Sequence, residues 1–278
     1  MVEHAVRDRE VAGSSPTTPT MDFSLLTYNT LFSDAVVGLK KICDAQHPDI
    51  ICLQEVDTTD QTFKKIEQLG YQLADYSNAF IKNGRIFGVA TFYNTEKFTF
   101  LDSKVIFLQK GIMEIIAYLL RIFKTGNKPR TVLKTDFICK KTKKEIAVYN
   151  IHLSPYGTNS IRLKQIHTTL ADVKLVDTER PTILTGDFNY PYGRKKLESL
   201  MQEYGMKEAT NTIFFTSEGA LTHYTFIERI IASIVFIFFH HRLKLDYIFY
   251  KNCKSLFAKK VDVQYSDHYP VFAVFKLI

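Results

Sequence analysis

The stretch PTILTGDFN (181–189) reads as a short buried strand that closes on an acid, Asp187, and an amide, Asn189. β-Branched and apolar residues fill it, and Gly186 and Asn189 mark its exit. Working outward, the same design recurs along the chain. FSLLTYN (23–29) closes on Asn29, DIICLQEV (49–56) carries Glu55 next to its last residue, and EIAVYNIHL (145–153) carries His152 in the same place. LDYIFY (245–250) has Asp246 at its start, and YPVFAVFKL (269–277) follows directly on Asp267 and His268. GVATFYN (88–94) and TVLKTDFIC (131–139) have the same strand-like composition, and the latter, a lysine-rich turn and EIAVYNIHL together read as a hairpin.

Helical stretches lie between these strands. Residues 34–46 run up to Pro48, which stops a helix, and residues 62–70 and 194–205 end on Gly70 and Gly205, residues suited to a left-handed C-terminal turn. In 160–177, Ile161, Ile166, Leu170, Val173 and Val176 recur close to the helical period. Strands alternating with helices, with no repeat and no Gly/Ser linker, predict one α/β domain over residues 21–278. Residues 1–20 stand apart. Their second half is Ser, Thr and Pro, they contain no apolar signal core, and Met21 directly precedes the first strand. They are expected to be a disordered tail or an over-called start.

With 46% apolar and 23% charged residues, the composition excludes wholesale disorder. No apolar run reaches the roughly 20 residues of a spanning helix. The four cysteines, Cys43, Cys52, Cys139 and Cys253, form no CxxC pair, which argues against a zinc cluster and a disulfide scaffold and for a reducing compartment. A cytoplasmic location is expected. The net charge of +7 favours an anionic partner, whether phosphate, nucleic acid or an acidic membrane. Residues 1–20 carry a net −1 (Arg7 and Arg9 against Glu3, Asp8 and Glu10), so the basic character belongs to the folded part.

A lone Asp after a strand is ordinarily a turn or cap residue, and a lone His an ordinary core or surface residue. Polar groups at the ends of so many different strands are another matter. Asn29, Glu55 and Asp267 offer the hard oxygen ligands that suit Mg²⁺ or Mn²⁺ rather than zinc. His152, His268, Asp187 and Asp246 add groups able to move protons.

LLTYN (25–29), LQEV (53–56), NIHLS (150–154), GDFN (186–189), LDYIF (245–249) and SDH (266–268), in that order, closely resemble the endonuclease/exonuclease/phosphatase superfamily with its deoxyribonuclease I-like fold. Its members include AP endonucleases, deadenylases, tyrosyl-DNA phosphodiesterases, inositol polyphosphate 5-phosphatases and neutral sphingomyelinases. The resemblance spans about residues 22–278 and implies an α/β four-layer sandwich, two face-to-face mixed β-sheets flanked by helices, with the active site at one end. It implies Glu55 as principal metal ligand, with Asn29 and Asp267 near the ion. Asp187 and Asn189 would position the attacking water and the phosphate, His268 would contact phosphate oxygens under the orientation of Asp246, and His152 would stabilise developing charge or assist the leaving group. Arg162 and Gln165 match an R-x-x-Q pattern on the helix after the HL motif, readable either as support for the site or as a solvated helical face.

Two apolar stretches fall outside this skeleton, 105–124 and 226–242. Their flanks are basic, so each reads either as a buried core element or as a peripheral membrane contact beside the active-site mouth. The expected activity is Mg²⁺-dependent hydrolysis of a phosphate ester in nucleic acid. The alternative is a sphingomyelinase-like or inositol-phosphate substrate at a membrane, and a non-catalytic binding module ranks last because no motif residue is missing. No obligate protein partner is expected.

Overall fold

In the first strand, β1 (Met21–Asn29), Phe23 and Leu25 enter one apolar cluster while Leu26 and Tyr28 enter another. This two-residue alternation is the strand period, and both faces of the strand are buried. The computed structural model describes residues 21–82, 84–119, 130–218 and 242–277. After β1 follow α1 (Val36–Gln46), β2 (Ile50–Asp57), α2 (Asp60–Glu67), β3 (Gln72–Lys82), β4 (Arg85–Tyr93), β5 (Phe98–Phe107), α3 (Ile112–Leu119), β6 (Thr131–Cys139), β7 (Glu145–His152) and α4 (Asn159–Val173). The chain continues through β8 (Thr182–Asp187), α5 (Arg194–Glu203), β9 (Lys207–Glu208), β10 (Ser217–Glu218), β11 (Arg242–Leu243), β12 (Asp246–Lys251), β13 (Lys254–Lys260) and β14 (Val271–Leu277).

Two six-stranded mixed sheets form, in the orders β13-β14-β1-β2-β4-β3 and β5-β6-β7-β8-β12-β9. Their facing surfaces share one core, in which Leu25, Ile50 and Cys52 of the first sheet meet Phe137, Val148, Ile183 and Ile248 of the second. The outer face of the first sheet packs on Leu39 and Ile42 of α1 and on Phe63 and Ile66 of α2. The outer face of the second packs on Ile166, Leu170 and Val173 of α4 and on Leu197 and Met201 of α5. The four-layer sandwich expected from the sequence is what the chain adopts.

Each sheet contains one parallel pair, β1 with β2 and β7 with β8, connected by α1 and α4 respectively, and the remaining pairings are antiparallel. Parallel neighbours present their C-terminal ends at the same edge, the usual place for a site in α/β proteins. Strands β3, β5 and β13 lie where no strand was read from the sequence. All three are sheet edges with mixed burial, so their apolar pattern is diluted. Helix 160–177 stops earlier than expected, at Val173.

Of the apolar stretch 105–124, residues 105–119 are described. Ile106 and Leu108 are buried, but Phe107 is 66% and Ile112 76% exposed, and Ile115 and Ile116 are exposed beside them. Thus the described apolar side chains of α3 do not enter the core. The stretch 226–242 lies, except for Arg242, outside the described residues, as do residues 1–20. Among the described residues, no helix is long and apolar enough to cross a membrane.

Candidate active site

The sheet register sets three chemical groups in a row. His152 at the end of β7 is paired with Asp187 at the end of β8, and Asp187 is paired with Asp246 at the start of β12. Gly186 permits this packing. Its φ is +132°, and a Cβ there would lie 2.1 Å from the carbonyl oxygen of Ile151, so no other residue fits unstrained.

Asp187 is the hub. Its Oδ1 accepts from the backbone N–H of Asn189 (2.8 Å), and its Oδ2 accepts from the side-chain amides of Asn189 and Asn29 (3.0 Å each). Asn29 belongs to the other sheet, so this bond also joins the two sheets across the site. Burial first, with Asp246 in support, pushes the Asp187 carboxyl up to about 6, against the pull of His268 and the amide donors.

The two histidines are set oppositely. His268 Nδ1 lies 2.8 Å from Asp246 Oδ2, and its Nε2 lies 3.9 Å from Asp187 Oδ2. Burial would lower its pKa, but Asp246 and Asp187 outweigh burial and hold it well above the ordinary histidine value. Asp246 is itself anchored, its Oδ2 accepting from Thr216 Oγ1 at 2.7 Å. His152 Nε2 stands 3.7 Å from both Glu55 Oε1 and Asp187 Oδ2. Burial, then Arg130 and His268, keep this imidazole neutral well below its ordinary value.

Glu55 comes from β2, at a break in register with β4 between Leu53 and Val56, and has a left-handed φ of 54°. A bulge at this point re-aims the side chain into the site. Burial, then Asp267 and Asp187, push its carboxyl up to about 7 against the pull of Arg130, and its Oε2 is buried without a hydrogen-bond partner. Asp267 is buried next to His268 and accepts from Ser266 Oγ at 3.2 Å. Asp246 Oδ1 is likewise buried without a partner.

Such oxygens fit a cation. The ligand atoms of Asp187, Asp246 and His268 lie within 4.8 Å of one another, close enough to hold one. In that group Asp187 already accepts from three donors and His268 Nδ1 lies 2.8 Å from Asp246, whereas Glu55 Oε2 has no hydrogen-bond partner. Glu55, with that open oxygen, is a further candidate ligand. Asn29 and Asp267, in the same cluster, could add oxygen donors of the kind Mg²⁺ and Mn²⁺ prefer.

Eight of the ten residues singled out in the sequence therefore meet in one cluster. Arg162 and Gln165 do not enter it, nor do they form a solvated helix face. Both are buried and clamp the loop after His152. Arg162 donates to the carbonyls of Ser154 and Pro155 (2.9 Å each), while Gln165 Oε1 accepts from the Ser154 N–H (3.0 Å).

Three groups were not picked out from the sequence. Arg130 is buried, with Nη1 at 3.3 and 3.4 Å from the two ring nitrogens of His152 and Nε 3.4 Å from Glu114. Thr216 carries no motif. Gln54 and Asn150 tie the sheets beneath the site, with Gln54 Nε2 donating to Asn150 Oδ1 at 2.8 Å and Asn150 Nδ2 donating to the carbonyls of Leu53 and Ala90. These two sat inside the LQEV and NIHLS motifs, so a signal for them existed.

A sequence model of the Endonuclease/Exonuclease/phosphatase family matches residues 26–268. Protein angel of Drosophila melanogaster is 26% identical over 255 residues, covering 83% of this chain and 68% of that protein. An endonuclease/exonuclease/phosphatase family protein of Bacteroides thetaiotaomicron superposes with a TM-score of 0.68 at 17% identity, over 94% of this chain and 99% of the other. ANGEL2, a 2',3'-cyclic phosphatase in complex with adenosine-2',3'-vanadate, superposes with a TM-score of 0.65 at 17% identity, over 93% and 96%.

Proposed function

The chain belongs to the endonuclease/exonuclease/phosphatase family, whose members hydrolyse phosphoester bonds, and from that premise we propose that it is a Mg²⁺-dependent phosphodiesterase acting on nucleic acid. The observation that carries this reading is one buried cluster in which Asp187, held by Asn29 and Asn189, stands 3.9 Å from His268, itself 2.8 Å from Asp246. A carboxylate poised near neutrality, Asp187, stands beside a histidine held as a cation, His268.

The residues divide the work. A phosphate arriving in the cluster meets the His268 imidazolium, which Asp246 orients and keeps charged. His152, neutral, offers a hydrogen bond without adding charge, and Arg130 behind it adds positive potential. Asp187 accepts a proton from the attacking water, which its pKa near 6 allows at neutral pH. Asn189 and Asn29 fix its oxygens, so the water is aimed rather than merely adjacent. A divalent cation would be held by Glu55 with Asn29 and Asp267. When bound, it offsets charge on the phosphoryl and departing oxygens.

A nucleic-acid substrate is supported by the net charge of +7 and by ANGEL2, a relative in fold that binds an adenosine-2',3'-vanadate. The exposed apolar side chains of Phe107, Ile112, Ile115 and Ile116 favour a second reading, a phospholipid headgroup at a membrane. One turnover panel with Mg²⁺ separates the two, using single-stranded DNA, abasic DNA, RNA, sphingomyelin and inositol phosphates. Hydrolysis of a nucleic acid is expected. Turnover of sphingomyelin alone would replace the first reading with the second.

A further inference from the structure

Directly after Asn29 the chain makes an unusual turn. Leu31, Phe32 and Ser33 have φ values of 45°, 55° and 70°, three left-handed residues in succession and none of them glycine. Side chains rarely adopt this backbone, so each such residue is strained. Both ends of the turn are pinned, with Asn29 Oδ1 accepting from the Leu31 N–H and Ser33 Oγ accepting from the Asp57 N–H. The turn holds the Phe32 ring over a small aromatic cluster. Phe32 meets Phe87 at 5.4 Å and Phe80 at 6.0 Å, both edge to face, and Phe80 meets His152 at 6.1 Å. Phe80 and Phe87 are buried, whereas Phe32 remains partly open.

The open side of Phe32 is not bland surface. It walls a cleft of about 320 Å³ together with Val36, Leu69, Lys65 and Arg85. The ammonium of Lys82 rests over the Phe32 ring, 3.6 Å from its centroid. Among the described residues no carboxylate pairs with Lys82. Asp34 also lines the cleft and Arg85 is paired with Asp57, which leaves Lys65 and Lys82 as the cations near the ring without a carboxylate partner among the described residues. A π-face with Lys82 over it and Lys65 beside it, two ring contacts from His152, matches an aromatic base joined to a phosphate.

We infer that Phe32 and the cleft it walls bind the nucleotide unit flanking the scissile phosphate, which makes Phe32 a specificity-determining residue. The base stacks on Phe32 in place of the Lys82 ammonium, and Lys82 and Lys65 turn to the adjoining phosphates. This inference rests on the nucleic-acid reading of the site and adds to it a recognition surface outside the catalytic cluster.

The test uses the full chain with Mg²⁺ and three substrates. These are a single-stranded oligonucleotide, a series of the same oligonucleotide with one abasic residue walked past the scissile phosphate, and bis(4-nitrophenyl) phosphate. Wild type should lose about tenfold in kcat/KM when the abasic residue falls in the cleft, the scale of one stacked base. Phe32→Leu should show less than about a twofold difference between intact and abasic substrates. Its ratio of oligonucleotide to bis(4-nitrophenyl) phosphate turnover should drop by about tenfold. Lys65→Glu, on an exposed face of α2, leaves the aromatic cluster untouched, and should raise the oligonucleotide KM and flatten its dependence on salt by about one unit of slope. If Phe32→Leu does not fold, Lys65→Glu and the abasic series on wild type decide alone. Oligonucleotide cleavage indifferent to Phe32, Lys65 and the abasic series overturns the cleft and leaves the proposed activity standing. Turnover of bis(4-nitrophenyl) phosphate with no nucleotide ester cleaved overturns the proposed activity and the cleft together.

Discussion

Replacing Glu55 by Gln should make the metal-free protein more stable at neutral pH while abolishing its response to metal. The Glu55 carboxyl is pushed from 4.5 up to about 7 in the fold, so the native state favours its protonated form. In the unfolded chain the group ionises at its ordinary value. Raising the pH from 4.5 to 7 therefore ionises the unfolded state first and draws stability away from the fold. At about 1.4 kcal/mol per pH unit, the interval from 4.5 to 7 removes about 3 kcal/mol. Below 4.5 the loss vanishes, and above 7 it is complete and constant. Gln keeps the shape and carries no proton to lose, so this slope disappears. The assay is urea denaturation in EDTA at pH 5 and pH 8 for wild type and Glu55→Gln. The stability difference between the two proteins should grow in favour of Gln by about 2–3 kcal/mol between those pH values. Mg²⁺ should then close most of that gap. At one hundred times its dissociation constant it adds about 2.7 kcal/mol to wild type and nothing to the variant. Parallel pH curves would refute the buried, ionisable character of Glu55. Equal Mg²⁺ stabilisation of both proteins would refute its place in the cation site.

Activity should fall on the acid side of about pH 6, because Asp187 must be ionised to accept a proton and its carboxyl titrates there in the metal-free fold; a kcat/KM profile flat from pH 5 to 7 would remove it as the base. Asp246→Asn should lower turnover by roughly 10²-fold or more and move the alkaline limb of the pH profile downward, since His268 loses the carboxylate that keeps it charged. An alkaline limb that stays in place would show that His268 does not depend on Asp246. Gly186→Ala should destabilise the fold by roughly 3 kcal/mol or more, because its Cβ would lie 2.1 Å from the Ile151 oxygen at a φ of +132°; thermal denaturation with an unchanged Tm would contradict the close approach of β7 and β8. Single Cys→Ser changes at Cys43, Cys52, Cys139 and Cys253 should leave kcat intact whatever they cost in stability, and a dead but folded variant would bring a thiol into the chemistry.

The parts of the fold legible in the sequence were those buried on both faces. β1, β2, β7 and β8 form the parallel centre of each sheet and read as near-continuous apolar runs. β3, β5 and β13 escaped notice because an edge strand shows one face to water and carries charges along it, as QLADYSNAFIK and KSLFAKK do. For the same reason the site was legible where it hangs on central strands. Asn29, Glu55, His152 and Asp187 follow apolar runs and stand out against them. Arg130 precedes its strand among other basic residues, and Thr216 sits in a loop, so only the folded chain reveals that one lies across His152 and the other anchors Asp246. The bulge at Gln54–Glu55 was equally hidden, since one extra residue on a strand buried on both faces leaves little mark in hydrophobic pattern.

The two site histidines show what residue type and position leave undetermined. Both stand beside apolar strand runs, both are buried, and both lie within 4 Å of the same Asp187 oxygen. Burial acts on each in the same direction, disfavouring the charged form. What separates them is the partner on the far side of the ring. His268 has Asp246 at 2.8 Å, a fixed negative charge that the Thr216 hydroxyl holds in place. His152 has the Arg130 guanidinium against its ring, a fixed positive charge that Glu114 holds at 3.4 Å. One site thus obtains a cation and a neutral hydrogen-bonding group from the same side chain. The cation side faces Asp187, where it can stabilise phosphate charge next to the base. The neutral side faces Glu55, where a second positive charge would oppose a bound metal. On the proposed reading, the division of labour between Asp187 and Glu55 is therefore written into Asp246 and Arg130, one on each side of the cluster.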